Sequence, residues 1–339
     1  MPTESGSVSS PTPTQWLALA CALLGIAFAS ILLVIAETEL SPYAAIFDRI
    51  SIAGVVFALW WGSQQLLQPR PVQADNGPDA TILGDTSAPQ PLDTTVLGLL
   101  LLSGLAFSSS LGIWAWSLTQ TSVANSTLLN NMMPIFTTLG AWAAFGERFS
   151  QRFLLGIGIA IAGVIVIGVE DLQVTDGLVG DGAALLAAML FAVNILCVQQ
   201  LRKRFDAVWI MMWTSLIGSG ALLGVLWVRQ DSIFPSTWVG WTAVVALALL
   251  SQALGQGLLT HCLKTFSASL VAVSMLVIPV LAAVLAMIIF GETLSALNWM
   301  AFAIVLFGIY ISVSAQAEKA EVPLNKAMAL YAHSTSSEK

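Results

Sequence analysis

Asp48 and Arg49 stand side by side in a stretch, Tyr43 to Leu67, that carries no other charge. An ionisable side chain inside a hydrophobic segment is costly to keep there, so it is a functional hypothesis by default. Arg49 offers a planar fork of donors that matches a carboxylate. The alternative is structural, an ion pair with Asp48, Glu37 or Glu39. Gln252, Gln256 and Thr260 recur at i, i+4 and i+8, which places them on one helical face. Such a stripe either lines a wet cavity or glues helices together. Asn130 and Asn131, with Thr127 and Thr138 around Pro134, pose the same choice in the first half of the chain. Trp114, near Ser108, Ser109, Ser110 and Trp116, reads as a cavity wall or as packing and an interfacial anchor. Amides, one cation and an indole can bind and orient a small molecule, and they include no nucleophile with an adjacent base.

Enzyme chemistry is correspondingly hard to assemble. The chain has two histidines, His261 and His333, and no HExxH pattern. Gly180-Asp181 resembles part of an intramembrane aspartyl protease motif, yet Leu178 occupies the place of its first glycine. Cys21, Cys197 and Cys262 all fall in apolar stretches without the spacing of a metal site or disulfide framework. No basic tract suggests nucleic acid. The expectation is a protein with no catalytic residues, no metal and no cofactor, and no soluble domain through which to signal.

The elements that must hold these residues are membrane spans. Hydrophobic residues make up 57% of the chain and charged ones 9%, with a mean hydropathy of +0.85; soluble domains run at about a quarter charged. A bilayer crossing takes about 20 mostly apolar residues as a helix, and the uncharged runs are too continuous for the alternating strands of a membrane barrel. The sequence predicts spans at 16–36, 43–67, 95–118, 123–145, 153–169, 182–201, 208–228, 238–263, 267–290 and 297–315. Residues 68–93, with five prolines and four aspartates, read as a flexible loop. Residues 1–15 lack a basic leader, so the first span is expected to be retained. With ten spans and the amino terminus inside, the inner segments hold Arg70, Arg148, Arg152, Arg202, Lys203, Arg204, Lys264, Lys319, Lys326 and Lys339, and the outer loops hold Arg229 alone. That partition follows the positive-inside rule and puts both termini in the cytoplasm.

One pattern occurs twice. Pro134, Phe145-Gly146-Glu147, Ser150 and Gly163 recur, 145 positions on, as Pro279, Phe290-Gly291-Glu292, Ser295 and Gly308. A weaker echo sets Phe28-Ala29 against Phe191-Ala192. The repeat therefore spans five helices, and an odd number inverts the second copy, the construction common in secondary transporters. Within it, Glu147 and Glu292 read as gating or coupling groups, or as acids favoured beside the helix starts at Ser150 and Ser295. Pro134 and Pro279 each remove a backbone hydrogen bond mid-helix and read as bending points or packing kinks.

These residues, together with Ser41-Pro42, Phe47-Asp48-Arg49, Leu263-Lys264 and Ser267-Ala268-Ser269, resemble an EamA-type transporter of the drug/metabolite transporter superfamily across nearly the whole chain. The resemblance implies an all-α polytopic membrane protein of ten transmembrane helices, built as two inverted five-helix repeats, 16–169 and 181–315. Cytoplasmic tails, 1–15 and 316–339, flank the repeats. It implies a permease that exports or exchanges small metabolites such as amino acids in the cell's inner membrane. A multidrug or nucleotide-sugar carrier is the alternative, against which a single intramembrane arginine argues. Its partners are a small-molecule substrate and the lipid bilayer, with a homodimer left open. The loop at 68–93 has no counterpart in the second half and reads as an insertion.

Overall fold

The computed structural model describes residues 11–67, 93–121, 123–169, 177–290, 295–297 and 299–315. Residues 68–92 of the expected loop, residues 1–10 of the first tail, the whole tail at 316–339 and Glu292 lie outside these residues. Among them every element is helical: α1 (Pro13–Ala36), α2 (Pro42–Leu67), α3 (Thr94–Ser117), α4 (Val123–Asn130), α5 (Met133–Phe145), α6 (Gln151–Val169), α7 (Leu178–Leu201), α8 (Ala207–Arg229) and α9 (Trp238–Ala246). A π-helical segment, Leu247–Gln256, joins α9 to α10 (Gly257–Cys262), and a 3₁₀ turn, Met275–Val277, joins α11 (Ala268–Ser274) to α12 (Ile278–Phe290). A last apolar helix, α13, covers Trp299–Ala315. Among the described residues seven helices or helix runs are long and apolar enough to cross a bilayer on their own; α6 and α13 are shorter apolar helices, and the fourth expected span is broken into α4 and α5. Helices suit this chain because in hydrocarbon each backbone polar group must be satisfied within its own segment.

The two breaks fall at matching places. Asn131 and Met132 form the turn between α4 and α5, with Pro134 in the first turn of α5. The 3₁₀ turn Met275–Val277 stands 145 positions later, with Pro279 just inside α12. Proline starts each new helix where its missing N–H costs nothing. Gly146 closes α5 in the left-handed conformation (φ 65°), where its N–H reaches Trp142 and that of Glu147 reaches the Ala141 carbonyl. Only a residue without Cβ takes that conformation at no cost, which gives the Phe-Gly-Glu motif a structural reason. Ser150 accepts from the Phe153 N–H at 3.2 Å and caps α6 as its spacing predicts.

Packing crosses between the two parts of the chain. Helix α1 lies along α9, the π segment and α10, while α7 lies along α3 and α2 faces α8. At one end of the first contact Gln15 donates to Thr265 Oγ1 at 3.1 Å, and Trp16 sets its ring edge-on to Phe266. At the equivalent end of the second, Thr121 donates to Asp181 Oδ1 at 2.7 Å. The expected spans 153–169 and 182–201 leave Asp181 in the acidic connection between them, whereas it lies in the first turn of α7, where that bond and the positive helix end both favour it. Helices α6 and α13 run antiparallel in close contact. Gly156 meets Gly308 and Ser312, Gly163 meets Ala301 and Val305, and the Ser312 hydroxyl donates to the Phe153 carbonyl at 3.2 Å.

At one face a single carboxylate ties the α1–α2 turn to the start of α9. Glu39 Oε2 accepts from the Ser236 and Thr237 N–H groups at 3.0 and 3.1 Å and from the Ser236 hydroxyl at 3.2 Å. Thr237, the N-cap, donates to Oε1 and accepts from the Gly240 N–H at 3.2 Å. These bonds, the Thr237 hydroxyl foremost, hold Glu39 below the ordinary glutamate value of 4.5. A folded-state value lowered in this way means that the clasp stabilises the protein above the unfolded-state pKa and loses that effect as pH falls through the folded one. Thermal unfolding of Glu39→Gln is therefore expected below wild type at neutral pH, with the gap closing as pH is taken down past 4.5. A gap that persists unchanged into acid would sink the assignment.

Candidate functional site

Helices α2, α3, α7, α8 and the π segment bring most of the polar interior together. Arg49 is 7% exposed, and its Nε donates to Gln252 Oε1 at 2.9 Å across 203 positions of sequence. Its bond goes to the π segment and not to Asp48, Glu37 or Glu39. The two terminal guanidinium nitrogens have no partner among the described residues, and they are not among the sealed polar atoms. Gln252 is fully buried, and its Nε2 is sealed without an acceptor among the described residues. The π turn matters here because it is wider than an α turn and often marks functional sites. Asp48 is 2% exposed, and its Oδ2 is sealed with no hydrogen-bond donor among the described residues.

Gln256 and Thr260 continue the stripe on the same buried side. With Asn194, Thr214, Met211 and Phe107 they line a cavity of about 10 Å³ between α3, α7, α8 and α10, room for about one water. Asn194 accepts from the Ser103 hydroxyl at 2.8 Å, and Thr260 donates to the Met211 sulfur at 3.2 Å. Ser109, Trp116 and Tyr43 line a wider groove of about 280 Å³ between α2, α3 and α8. Ser108 also borders this groove, its hydroxyl donating to the Gly104 carbonyl, while Ser110 donates to the Ala187 carbonyl.

The other sequence candidates make no hydrogen bond to Arg49 or Gln252 among the described residues. Asn130 and Asn131 are half-buried at the α4–α5 break, and Asn131 Nδ2 turns back to the Thr127 carbonyl at 2.9 Å. Trp114 is half-buried with its indole N–H sealed and unpartnered among the described residues. Glu147 lies at the end of α5, half-buried. His261 is exposed, and its carbonyl accepts from Arg202 Nη2 at 3.4 Å. Sequence reasoning passed over the Glu39 clasp; its signal was a Ser-Thr pair immediately ahead of the apolar run at Trp238. It also passed over the π segment, which has no local signature.

Gln252→Ala removes the acceptor of a buried, charged donor. Leaving such a donor unpaired costs roughly 1–3 kcal/mol or more, so the variant is expected to unfold at lower temperature than Gln252→Glu, which keeps an acceptor. Equal melting of the two would show that the bond contributes nothing.

A bundle of this kind, apolar outside and holding the Arg49 guanidinium against a distorted helix, is that of a multi-pass membrane protein. The chain belongs to the EamA-like transporter family, whose profile matches residues 14–169 and 178–314. Its relatives include an uncharacterized transporter of Synechocystis, 22% identical over 307 residues, covering 85% of this chain and 86% of that one. A chloroplastic WAT1-related protein of Arabidopsis thaliana is 25% identical over 211 residues, 59% of this chain and 50% of its own length. Mouse solute carrier family 35 member G1 is 24% identical over 186 residues, 51% and 50% of the two chains. The chain thus spans about half the length of the latter two relatives. A crystal structure 16% identical superposes with a TM-score of 0.72 over 89% of this chain and 99% of its own, which shows a shared fold.

Proposed function

We propose that this transporter is a permease for small carboxylate-bearing metabolites such as amino acids, exporting or exchanging them by alternating access. The observation that carries the reading is Arg49. It is anchored through Nε, so its two outer nitrogens are left free to hold a carboxylate in two-point contact. Gln252, Gln256, Asn130, Asn131 and Trp114 complete the binding surface, the breaks at Pro134 and Pro279 supply the bending, and Glu147 and Glu292 of the two Phe-Gly-Glu motifs are the gating candidates. A multidrug or nucleotide-sugar carrier is the second reading.

The architecture we infer is ten spans in two inverted repeats, 16–169 and 181–315, in the inner membrane with both termini cytoplasmic. Several features support it. The helix breaks recur at the 145-residue offset. The pairs Gly156–Gly308 and Gly163–Ala301 exchange under that same offset. The end contacts Gln15–Thr265 and Thr121–Asp181 correspond. Helix α5 packs on α11, while α4 and α12 make no comparable contact among the described residues, which fits a carrier closed on one side.

The test is exchange in proteoliposomes: efflux of preloaded labelled amino acid, started by unlabelled amino acid outside. Saturable exchange of carboxylate compounds, absent for their amides and esters, is the expected result. Exchange indifferent to the carboxylate would overturn the assignment.

A further inference from the structure

We propose that Asp48 is the proton-binding residue through which transport is coupled to a pH gradient. The proposal rests on the transport reading above and adds the coupling ion. Asp48 is the only carboxyl group more than one turn inside a helix among the described residues. It is 2% exposed, and its Oδ2 is sealed from solvent with no donor among the described residues.

The charges around it do not hold it ionised. Helix α2 packs on α8, α3, α1, α9 and the π segment. Helix α3 and the stretch Trp238–Gln256 carry no titratable residue, and α1 carries one, the exposed Cys21. The charge on α8 is Arg229 at its end, which bonds Asp231 at 3.1 Å and lies 4.7 Å from the Tyr43 ring centre. On α2 itself Arg49 turns its Nε to Gln252 and makes no hydrogen bond or ion pair to Asp48 among the described residues. Glu37 and Glu39 stand in the α1–α2 turn, Glu39 in its clasp. An ionised carboxylate with a sealed oxygen and no donor is far less favourable than its neutral acid, so this geometry is that of a protonated Asp48.

The step is simple and balanced. A carboxylate exposed to water on one side takes up one proton, crosses as the neutral acid when the helices close over it, and releases that proton to water on the other side. Nothing else is consumed. A group that is sealed in one packing and wet in another is what a coupling site requires, and α2 sits against the π segment, the least regular element in the bundle.

Two measurements on wild type, Asp48→Asn and Asp48→Glu test this. The first is infrared spectroscopy of purified protein in lipid, which is expected to show the carbonyl stretch of a dehydrated, protonated carboxyl at neutral pH in wild type and not in Asp48→Asn. The second compares gradient-free exchange with accumulation driven by a pH step. One proton per substrate supports about tenfold accumulation for each pH unit; Asp48→Asn is expected to abolish accumulation while exchange persists, and Asp48→Glu to restore it. No such infrared band overturns the proposal, as does accumulation that survives in Asp48→Asn. Wild-type exchange without any response to the gradient overturns the coupling and leaves the transport reading standing. Absence of exchange in wild type overturns both, even if the band is seen.

Discussion

Arg49→Ala is expected to weaken substrate binding by about 30-fold or more. The figure follows from the roughly 2–5 kcal/mol that truncating one member of a buried, hydrogen-bonded charged pair costs. The guanidinium is positioned at one nitrogen by Gln252, at 2.9 Å, and its remaining donors are unspoken for. A ligand carboxylate would find a fork already oriented, with little side-chain freedom left to lose. Arg49→Lys keeps the charge but not the fork, and one ammonium cannot serve Gln252 and a two-point contact together. An intermediate loss is therefore expected for the lysine variant. Half-saturation in the exchange assay measures both. Wild-type affinity in Arg49→Ala would show that the guanidinium is a structural group and that the substrate binds elsewhere.

The second large effect concerns the α6–α13 contact. A Cβ on Gly308 would lie 2.4 Å from the Ala160 nitrogen and 2.7 Å from the Gly156 carbonyl oxygen. Both neighbours are backbone, so neither can swing aside, and the helices must separate. Overpacking of this kind costs about 1–3 kcal/mol, and it also forfeits the close approach that drives helix association where no hydrophobic force acts between helices. Gly308→Ala should accordingly lower the unfolding temperature in detergent, and Gly163→Ala, its counterpart 145 positions back, should do so comparably. Gly158, one turn away with nothing within 4 Å of the Cβ position, is the control. There alanine should be neutral or mildly stabilising, because it only removes the conformational freedom of a helical glycine. Equal effects at all three sites would refute the contact.

The helices were legible from the chain because hydropathy is a local property, and the apolar runs are helical among the described residues, some whole and some broken. The two breaks were legible as prolines, though the sequence showed only the residues and not the 3₁₀ turn at Met275–Val277. Arg49 and Gln252 were each conspicuous as polar groups among apolar ones. That they meet was not readable, since 203 positions separate them and their pairing depends on how α2 is set against the π segment. The π geometry itself is a response to packing, and its residues are ordinary helix formers. Glu39 illustrates the same limit: the sequence marks a turn, while the partners at Ser236 and Thr237 come from a distant loop. Asp181 was misplaced because its acidity suggested a connection, and the hydroxyl that holds it in α7 belongs to Thr121.

The pairing of α1 with α9 and α10 also dictates an order of events during synthesis. Helix α1 ends at Ala36 and α9 begins at Trp238. At about 5–20 residues per second, the ribosome needs roughly 10–40 s to deliver the partner after the first helix is complete. For that interval α1 stands in the bilayer with the Gly25 notch, which fits against Leu250 and Gly255, unfilled. A nascent chain arrested before Trp238 would thus hold its spans inserted but its first helix unlatched, open to whatever other membrane protein offers a small-residue surface.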